Sequence, residues 1–327
     1  MSGAAPLPEP AHVPAVPPSA VDAVRVTAFV RERYGPGAGN VQAFDQGEWS
    51  KAFAFEQDGH ARVIRFSALD EDFAKDRFAG RWRSAALPVP RVLETGAAFD
   101  GYYAVSERHA GGFIDDLDEA GMRALLPSLF AALEAMCAAD LCGTTGFGIW
   151  GADGHAPHLS WQDFLLDVHS DCSHNRIRGW RAALEQSEVG AAPFDEAYRR
   201  LQELVSLCPE DRHLIHSDLL HFNVLVADHR ITGVLDWGCG LYGDFLYDVA
   251  WFTFWAPWFP AWDGIDFRAE AARHFAARGV SVPNFAERLR ACEIHIGLGG
   301  QAYQAYKGFW SDLEATAART LKLARDA

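Results

Sequence analysis

The chain has 327 residues, 49% of them hydrophobic and 22% charged, with a formal net charge of −15 at pH 7. This length is sufficient for two lobes of ordinary domain size with a cleft between them. The acidic charge argues against a nucleic-acid partner, because phosphate backbones are held by clustered Lys and Arg. It suits a cationic small molecule, although acidity also serves solubility alone.

Residues 1–20 are rich in Pro and Ala and lack the basic and apolar regions of a secretory signal, which predicts a flexible N-terminal tail. We predict no membrane span, because no uninterrupted apolar run approaches the roughly 20 residues of a membrane helix. We also expect no obligatory protein partner. The scattered cysteines form no CxxC pair, which predicts reduced thiols and a cytoplasmic location; they are Cys137, Cys142, Cys172, Cys208, Cys239 and Cys292.

Residues 21–108 are predicted to form the first lobe, which ends in a hinge. Apolar residues at helical spacing predict a helix over 21–34, and three strands follow it, at 41–44, 52–56 and 61–66. The loop between the first two strands, at 47–50, can offer backbone N–H groups and a Ser hydroxyl to phosphate oxygens. An ordinary hairpin is the alternative interpretation, because this loop lacks a GxGxxG pattern.

Residues 109–327 are predicted to form a larger, mainly helical lobe. Apolar residues recur at spacings of three and four over 117–141 and 194–207, which predicts two long helices. The stretch at 142–171 is rich in Gly, His, Asp and Trp and predicts an insertion of loop and short helix. The aromatic run at 251–262 is interpreted mainly as core.

The most informative segment is His-Ser-Asp-Leu-Leu-His-Phe-Asn at 216–223. Two apolar strands joined by a polar turn follow it and end at Asp236, so the hairpin should return this carboxylate beside Asn223. Asp218 can orient an attacking hydroxyl, while Asn223 and Asp236 offer the hard oxygen ligands that hold Mg²⁺ against ATP phosphates. Taken singly, the three could be a helix cap, a turn residue and an incidental carboxylate. Their joint spacing favours a kinase site.

A kinase site gives roles to residues of the first lobe. Gly47 and Ser50 would lie over the nucleotide phosphates, and Arg65 would contact them in place of the usual Lys. Asp76, on the helix that follows, would orient Arg65. The hinge, whose backbone would pair with adenine, is predicted to lie between Ser106 and Arg108.

Three segments, at 216–223, 234–237 and 243–248, resemble the aminoglycoside phosphotransferase family. Further segments resemble the branch of that family that phosphorylates hygromycin B; they lie at 46–53, 75–77, 84–90, 138–141, 146–148 and 208–214. The resemblance implies an α+β, protein-kinase-like two-lobed fold. The N-terminal lobe would hold an antiparallel sheet with a helix, and the larger C-terminal lobe would be mainly helical.

The same resemblance implies an antibiotic-resistance kinase that uses Mg²⁺ and transfers the γ-phosphate of ATP or GTP to the 4-hydroxyl of hygromycin B. It implies that Asp218 is the catalytic residue and that Asn223 and Asp236 are the metal ligands. The interior of the catalytic loop, at 219–222, departs from the more polar version found in that branch.

The implied acceptor is a cationic aminoglycoside, whose amines would pair with carboxylates. Asp163 and Asp167 are predicted candidates for that pairing, and Trp237 or Trp255 could stack on a sugar face. One rival is a kinase of the same fold for another aminoglycoside, a macrolide or a small alcohol metabolite. A second rival is a nucleotide-binding pseudokinase scaffold, which would be expected to have lost an essential residue.

Overall fold

The computed structural model describes residues 21–44, 47, 49–172 and 176–326, so the tail predicted at 1–20 lies outside the described residues. The first lobe contains α1 (Ala23–Tyr34), β1 (Gly39–Ala43), β2 (Lys51–Gln57), β3 (His60–Ser67), α2 (Glu71–Ala79), β4 (Val92–Ala98) and β5 (Gly101–Glu107). Its strands form one antiparallel sheet in the order β1–β2–β3–β5–β4. The predicted antiparallel sheet with a helix is confirmed.

Helix α1 packs on this sheet by its apolar face. The helix begins where the Asp22 carboxylate accepts the backbone N–H of Arg25 at 2.8 Å, which satisfies a donor that the first turn leaves open. Val26 and Val30 are buried one turn apart and join Phe53 and Phe66 in the core of the lobe. The period of apolar residues therefore fixes which side of α1 meets the sheet.

The second lobe is mainly helical, as predicted. Its elements are β6 (Gly112–Phe113), α3 (Glu119–Cys137), β7 (Gly148–Ile149), α4 (Trp161–Asp167), α5 (Trp180–Gln186), α6 (Ala192–Leu204), β8 (His213–Ile215), β9 (Val224–Ala227), β10 (Arg230–Val234), β11 (Leu241–Gly243), α7 (Leu246–Trp255), α8 (Phe267–Ala277), α9 (Phe285–Lys307) and α10 (Trp310–Arg325). The two predicted long helices are observed as α3 and α6, and the predicted insertion contains β7 and α4.

Two small sheets hold the segments that the sequence marked as chemical. One has the order β10–β9–β6, and the other has the order β7–β11–β8. The segment at 216–223 connects β8 to β9, and the segment at 235–240 connects β10 to β11. Each of these two segments therefore joins one small sheet to the other.

Packing crosses the chain position predicted to separate the lobes. Trp82, Leu87 and Val89 precede residue 108 but belong to the large core of the second lobe. The Trp82 indole N–H donates to the Asp140 carbonyl at 2.8 Å. Residues 79–89 therefore precede the predicted boundary in sequence but pack against the second lobe. The lobe boundary at residue 108 stays a prediction.

Helix α3 is long and apolar enough, by length and composition, to cross a membrane. In this fold it is a core helix, since Met122, Leu125 and Leu129 on it are buried in the second lobe. The Ser128 hydroxyl on the same helix accepts the backbone N–H of Ile231 at 3.0 Å, which joins it to β10. These contacts account for its apolar composition.

Candidate active site

Asp218 and Asn223 contact each other in the loop between β8 and β9. The Asn223 amide Nδ2 donates to Asp218 Oδ2 at 2.9 Å and to the Asp218 carbonyl at 3.0 Å. The Asp218 side chain keeps 27% of its surface exposed, so a substrate group can still reach it. Because the Asn223 nitrogen is directed at Asp218, its amide oxygen is the end available to a cation.

The hairpin of β9 and β10 brings Asp236 to the same place. The backbone N–H of Leu235 donates to the Asn223 carbonyl at 2.8 Å, so the next residue, Asp236, lies beside Asn223. Asp236 has a positive φ of 56°, and its carboxylate accepts the N–H of Gly238 at 3.3 Å. The predicted route by which this carboxylate returns to the loop is present in the structure.

Several carboxylates converge around Asp236. Loss of solvent raises the pKa of Asp236 to about 6, and the nearby charge of Asp76 acts in the same direction, while Arg65 opposes both. A Cβ built on Gly238 would lie 3.1 Å from an Asp236 oxygen and 3.2 Å from an Asp72 oxygen. Such a concentration of negative charge on hard oxygen atoms favours a divalent cation.

The backbone of the catalytic loop is held from below by buried polar groups. The Asp248 carboxylate on α7 accepts the N–H groups of His216 at 3.0 Å and of Ser217 at 2.8 Å. The His216 ring is buried, and its Nε2 donates to the Leu235 carbonyl at 2.8 Å while its Nδ1 accepts the N–H of Asp218. Burial lowers the pKa of His216, so the ring is neutral and holds the loop.

Burial also raises the pKa of Asp248, to about 7, against the two backbone hydrogen bonds that favour its charged form. Asp244, four residues earlier, forms a bidentate ion pair with Arg288 on α9, at 2.8 and 2.9 Å. Both carboxylates thus brace the structure behind the loop.

Arg65 and Asp76 form the predicted pair. Arg65 on β3 donates to an Asp76 carboxylate oxygen, and the two side chains are 18% and 7% exposed. The other Asp76 oxygen accepts the backbone N–H of Trp237 at 2.8 Å. Asp76 therefore connects the basic residue of the first lobe to the segment that carries Asp236.

The loop between β1 and β2 is described in part, since Asp45, Gln46 and Glu48 lie outside the described residues. A Cβ on Gly47 would lie 2.8 Å from the Ser50 carbonyl, so these two predicted phosphate contacts lie close together. The Trp49 ring lies 5.0 Å from the Lys307 ammonium and 5.9 Å from the Arg176 guanidinium. The loop therefore reaches the second lobe.

The predicted hinge is the end of β5 and the residues after it. Ser106 pairs with Val63 on β3, and Arg108 directs its guanidinium to the Phe44 ring at 5.6 Å. Gly111 follows with a φ of 144°, and a Cβ there would lie 2.8 Å from the Val226 carbonyl. Only glycine fits at this crossing into the second lobe.

The predicted acceptor residues differ in where they lie. Asp163 and Asp167 are exposed on α4, where Asp167 contacts His158 at 3.3 Å. Among the described contacts, neither carboxylate reaches the catalytic loop.

The two predicted aromatic residues are both below the site surface. Trp237 is fully buried, with its ring 4.7 Å from His216, so it supports the loop instead of lining an acceptor site, which corrects the expectation for this residue. The Trp255 ring is 8% exposed and meets His221 edge to face at 5.6 Å. It therefore borders the loop.

Three residues of the site were missed by sequence reasoning. Lys75 is buried, donates to the Gly238 carbonyl and lies 4.9 Å from the Trp150 ring, and burial lowers its pKa. Arg176 bridges Glu71 and Asp72 at the start of α2, at 2.8 and 2.9 Å. His221 contacts Asp218 at 3.0 Å. Two of these residues could have been identified from sequence, since Lys75 is a basic residue next to Asp76 and His221 is a titratable residue inside the segment at 216–223.

The sequence matches the phosphotransferase enzyme family over residues 41–288. It is 33% identical over 285 residues to hygromycin-B 4-O-kinase from Escherichia coli, covering 86% of this chain and 79% of that protein. A crystal structure of aminoglycoside phosphotransferase APH(4)-Ia superposes with a TM-score of 0.81 at 30% identity, covering 93% and 99% of the two chains. A thermostable mutant of that enzyme, in ternary complex with AMP-PNP and hygromycin B, gives a TM-score of 0.80 at 31% identity, covering 92% and 98%.

Proposed function

The chain belongs to the phosphotransferase enzyme family, and on that premise we propose that it transfers the γ-phosphoryl group of ATP or GTP to the 4-hydroxyl of hygromycin B. The observation that carries this proposal is the contact set of Asp218, Asn223 and Asp236 beside the Arg65–Asp76 pair. Asp218 would accept the hydrogen bond of the attacking hydroxyl, Asn223 and Asp236 would offer oxygen ligands, and Arg65 would bring positive charge to the phosphates. The relatives that carry hygromycin B support the choice of acceptor.

In the proposed step, Asp218 accepts a hydrogen bond from the acceptor hydroxyl and orients its oxygen towards the γ-phosphorus. The new bond joins that oxygen to phosphorus, and the bond from phosphorus to the β–γ bridging oxygen breaks with its electron pair leaving on the nucleoside diphosphate. The hydroxyl proton passes to Asp218 and then to solvent. Because such transfers are largely dissociative, positioning and charge neutralisation supply most of the acceleration.

The donor set fits Mg²⁺. Asn223 and Asp236 would hold the ion, which when bound neutralises phosphate charge. Magnesium commonly takes only one or two protein carboxylates, with substrate phosphates and water as its other ligands. Within the described residues no group of three or more His, Cys, Asp or Glu is arranged to hold a metal, so phosphate and water would have to complete the coordination of the ion.

The first lobe would bind the nucleotide. Arg65, held by Asp76, would contact phosphate oxygens, and Gly47 and Ser50, which lie close together, would cover them. The adenine or guanine base would lie against the hinge at 106–108. The six cysteines are all free, which supports a reducing, cytoplasmic location.

The acidic chain, with a net charge of −15, suits a polyamine-bearing acceptor. Carboxylates outside the loop, with Asp163 and Asp167 as candidates, would pair with its amines. The nearest rivals are kinases of the same fold for another aminoglycoside, a macrolide or a small alcohol. A resistance panel in a susceptible host, with hygromycin B beside these compounds, separates them.

The experiment that tests the proposal is phosphoryl transfer to hygromycin B by the purified chain, with the site of modification located by NMR. Asp218→Asn should keep nucleotide affinity and lose about 10² to 10⁴ in turnover. A matched control is Asp228→Asn in the turn of the β9–β10 hairpin, where φ is 49° and Asn is accepted readily. Equal turnover of wild type and Asp218→Asn would refute the assignment. Nucleotide binding with no transfer to any acceptor would favour the pseudokinase.

A further inference from the structure

His221 holds one oxygen of the Asp218 carboxylate. Its Nδ1 lies 3.0 Å from Asp218 Oδ1, whereas Asn223 donates to the other oxygen, Oδ2, at 2.9 Å. An ionised carboxylate only accepts hydrogen bonds, so Nδ1 carries the hydrogen in this contact whether the ring is neutral or charged. The two neighbours therefore fix the carboxylate from both sides.

The backbone at His221 has an unusual conformation that Asp115 stabilises. His221 and Phe222 both have positive φ, 59° and 69°, a conformation that costs free energy for most residues other than glycine and asparagine. The Asp115 carboxylate compensates, since its two oxygens accept the N–H groups of His221 at 2.7 Å and of Phe222 at 3.0 Å. Asp115 comes from 106 residues earlier in the chain and anchors this turn.

The His221 ring also packs against helix α7. Trp255 and Trp251 meet His221 edge to face, with ring centroids 5.6 and 6.1 Å away. Neither contact offers a hydrogen-bond partner to Nδ1, so the Asp218 carboxylate is the polar group that determines the orientation of the ring. The His221 side chain nevertheless stays 48% exposed.

We propose that His221 is a positioning residue for phosphoryl transfer, acting through Asp218. By occupying one lone pair of Oδ1, it holds the carboxylate in the rotamer whose remaining lone pairs face the acceptor hydroxyl. Without His221, the contact from Asn223 holds only one of the two carboxylate oxygens. This inference rests on the proposed function, because it requires Asp218 to orient the nucleophile.

Three variants separate hydrogen bonding from backbone strain. His221→Ala removes the donor and keeps the strain of positive φ, while His221→Gly removes both. His221→Asn places an amide donor close to the position of Nδ1 and adopts positive φ readily. A merely structural role would make Gly the best of the three, and a positioning role makes Asn the best.

We expect kcat to fall about tenfold to a hundredfold in both His221→Ala and His221→Gly, with KM for the nucleotide unchanged, since a small misplacement of a reacting group has an effect of this size. His221→Asn should recover most of the lost kcat. Melting temperatures measured alongside show whether each variant is folded. The proposal is overturned if the Ala variant keeps wild-type kcat, if Asn is as slow as Ala, or if only KM changes.

Hydrolysis of ATP without acceptor is measured on the same variants. Water would replace the acceptor hydroxyl and be oriented by the same Asp218, so this readout does not depend on the identity of the acceptor. If the wild-type enzyme hydrolyses ATP but does not phosphorylate hygromycin B, only the proposed acceptor is contradicted. Equal hydrolysis by wild type and all three variants defeats the role of His221 alone.

Discussion

Replacing Asp244 by Asn tests how strongly the buried ion pair behind the catalytic segment stabilises the second lobe. The Asp244 side chain is fully buried and that of Arg288 is 6% exposed, and two contacts of 2.8 and 2.9 Å join them. Asn keeps the shape and one acceptor oxygen but removes the charge. The guanidinium then stays buried without its counter-ion, which should lower the free energy of unfolding by about 3–5 kcal/mol.

The expected change in melting temperature follows from this free-energy cost and the entropy of unfolding, which scales with chain length. The entropy of unfolding is about 2.1 cal/mol/K per residue, which gives about 0.7 kcal/mol/K for 327 residues. The Asp244→Asn variant should therefore melt about 4–7 °C below the wild type. Differential scanning calorimetry at neutral pH, without nucleotide or acceptor, measures the difference directly.

A matched control is the pair of Glu196 and Arg325, which has the same bidentate form at 2.7 and 3.0 Å. These side chains are 36% and 62% exposed, so water and salt screen their attraction and Glu196→Gln should not change the melting temperature measurably. If Asp244→Asn melted with the wild type, or if the control fell by the same amount, burial would not govern these pairs and the reasoning would be refuted.

Three further predictions follow from the site. Asp236→Ala should lose the Mg²⁺-dependent part of nucleotide affinity, and unchanged affinity by calorimetry would contradict its metal role. Arg65→Gln should raise KM for ATP and Arg65→Lys should raise it less, because the ammonium keeps the charge but not the fork geometry; steady-state kinetics ranks them. Asp248 has a pKa of about 7 in the folded chain, above its value of about 4 when unfolded, so its contribution to stability is complete below pH 4 and lost as pH rises through 7. In the Asp248→Asn variant, the melting temperature should change less with pH over that range.

The central site was predictable because its parts are close in sequence. Asp218 and Asn223 are five residues apart, and the hairpin that returns Asp236 has a simple pattern of apolar strands and a polar turn. The Arg65–Asp76 pair joins neighbouring elements of the first lobe, eleven residues apart. Short sequence separation leaves few alternatives for how such residues meet.

The remaining contacts depend on tertiary packing that no local pattern encodes. Asp115 meets the catalytic loop, and Lys75 meets Gly238, across more than 100 residues of chain. Trp237 is buried among residues that include Trp82 of the first-lobe segment, whose ring centroid lies 6.5 Å away, 155 positions earlier in the chain. An aromatic residue beside a catalytic carboxylate looks the same in sequence whether it lines a cleft or supports it.

The positive φ angles of the site constrain how the enzyme can diversify. Ser217, His221, Phe222 and Asp236 all have this backbone conformation and all lie in the two segments that carry the chemistry. Side chains branched at Cβ are disfavoured there, so most random changes in these segments would cost stability before they altered the choice of acceptor. Selection for a new drug would therefore act first on the surrounding helices and insertion, and the loop itself would change only together with an anchor such as Asp115.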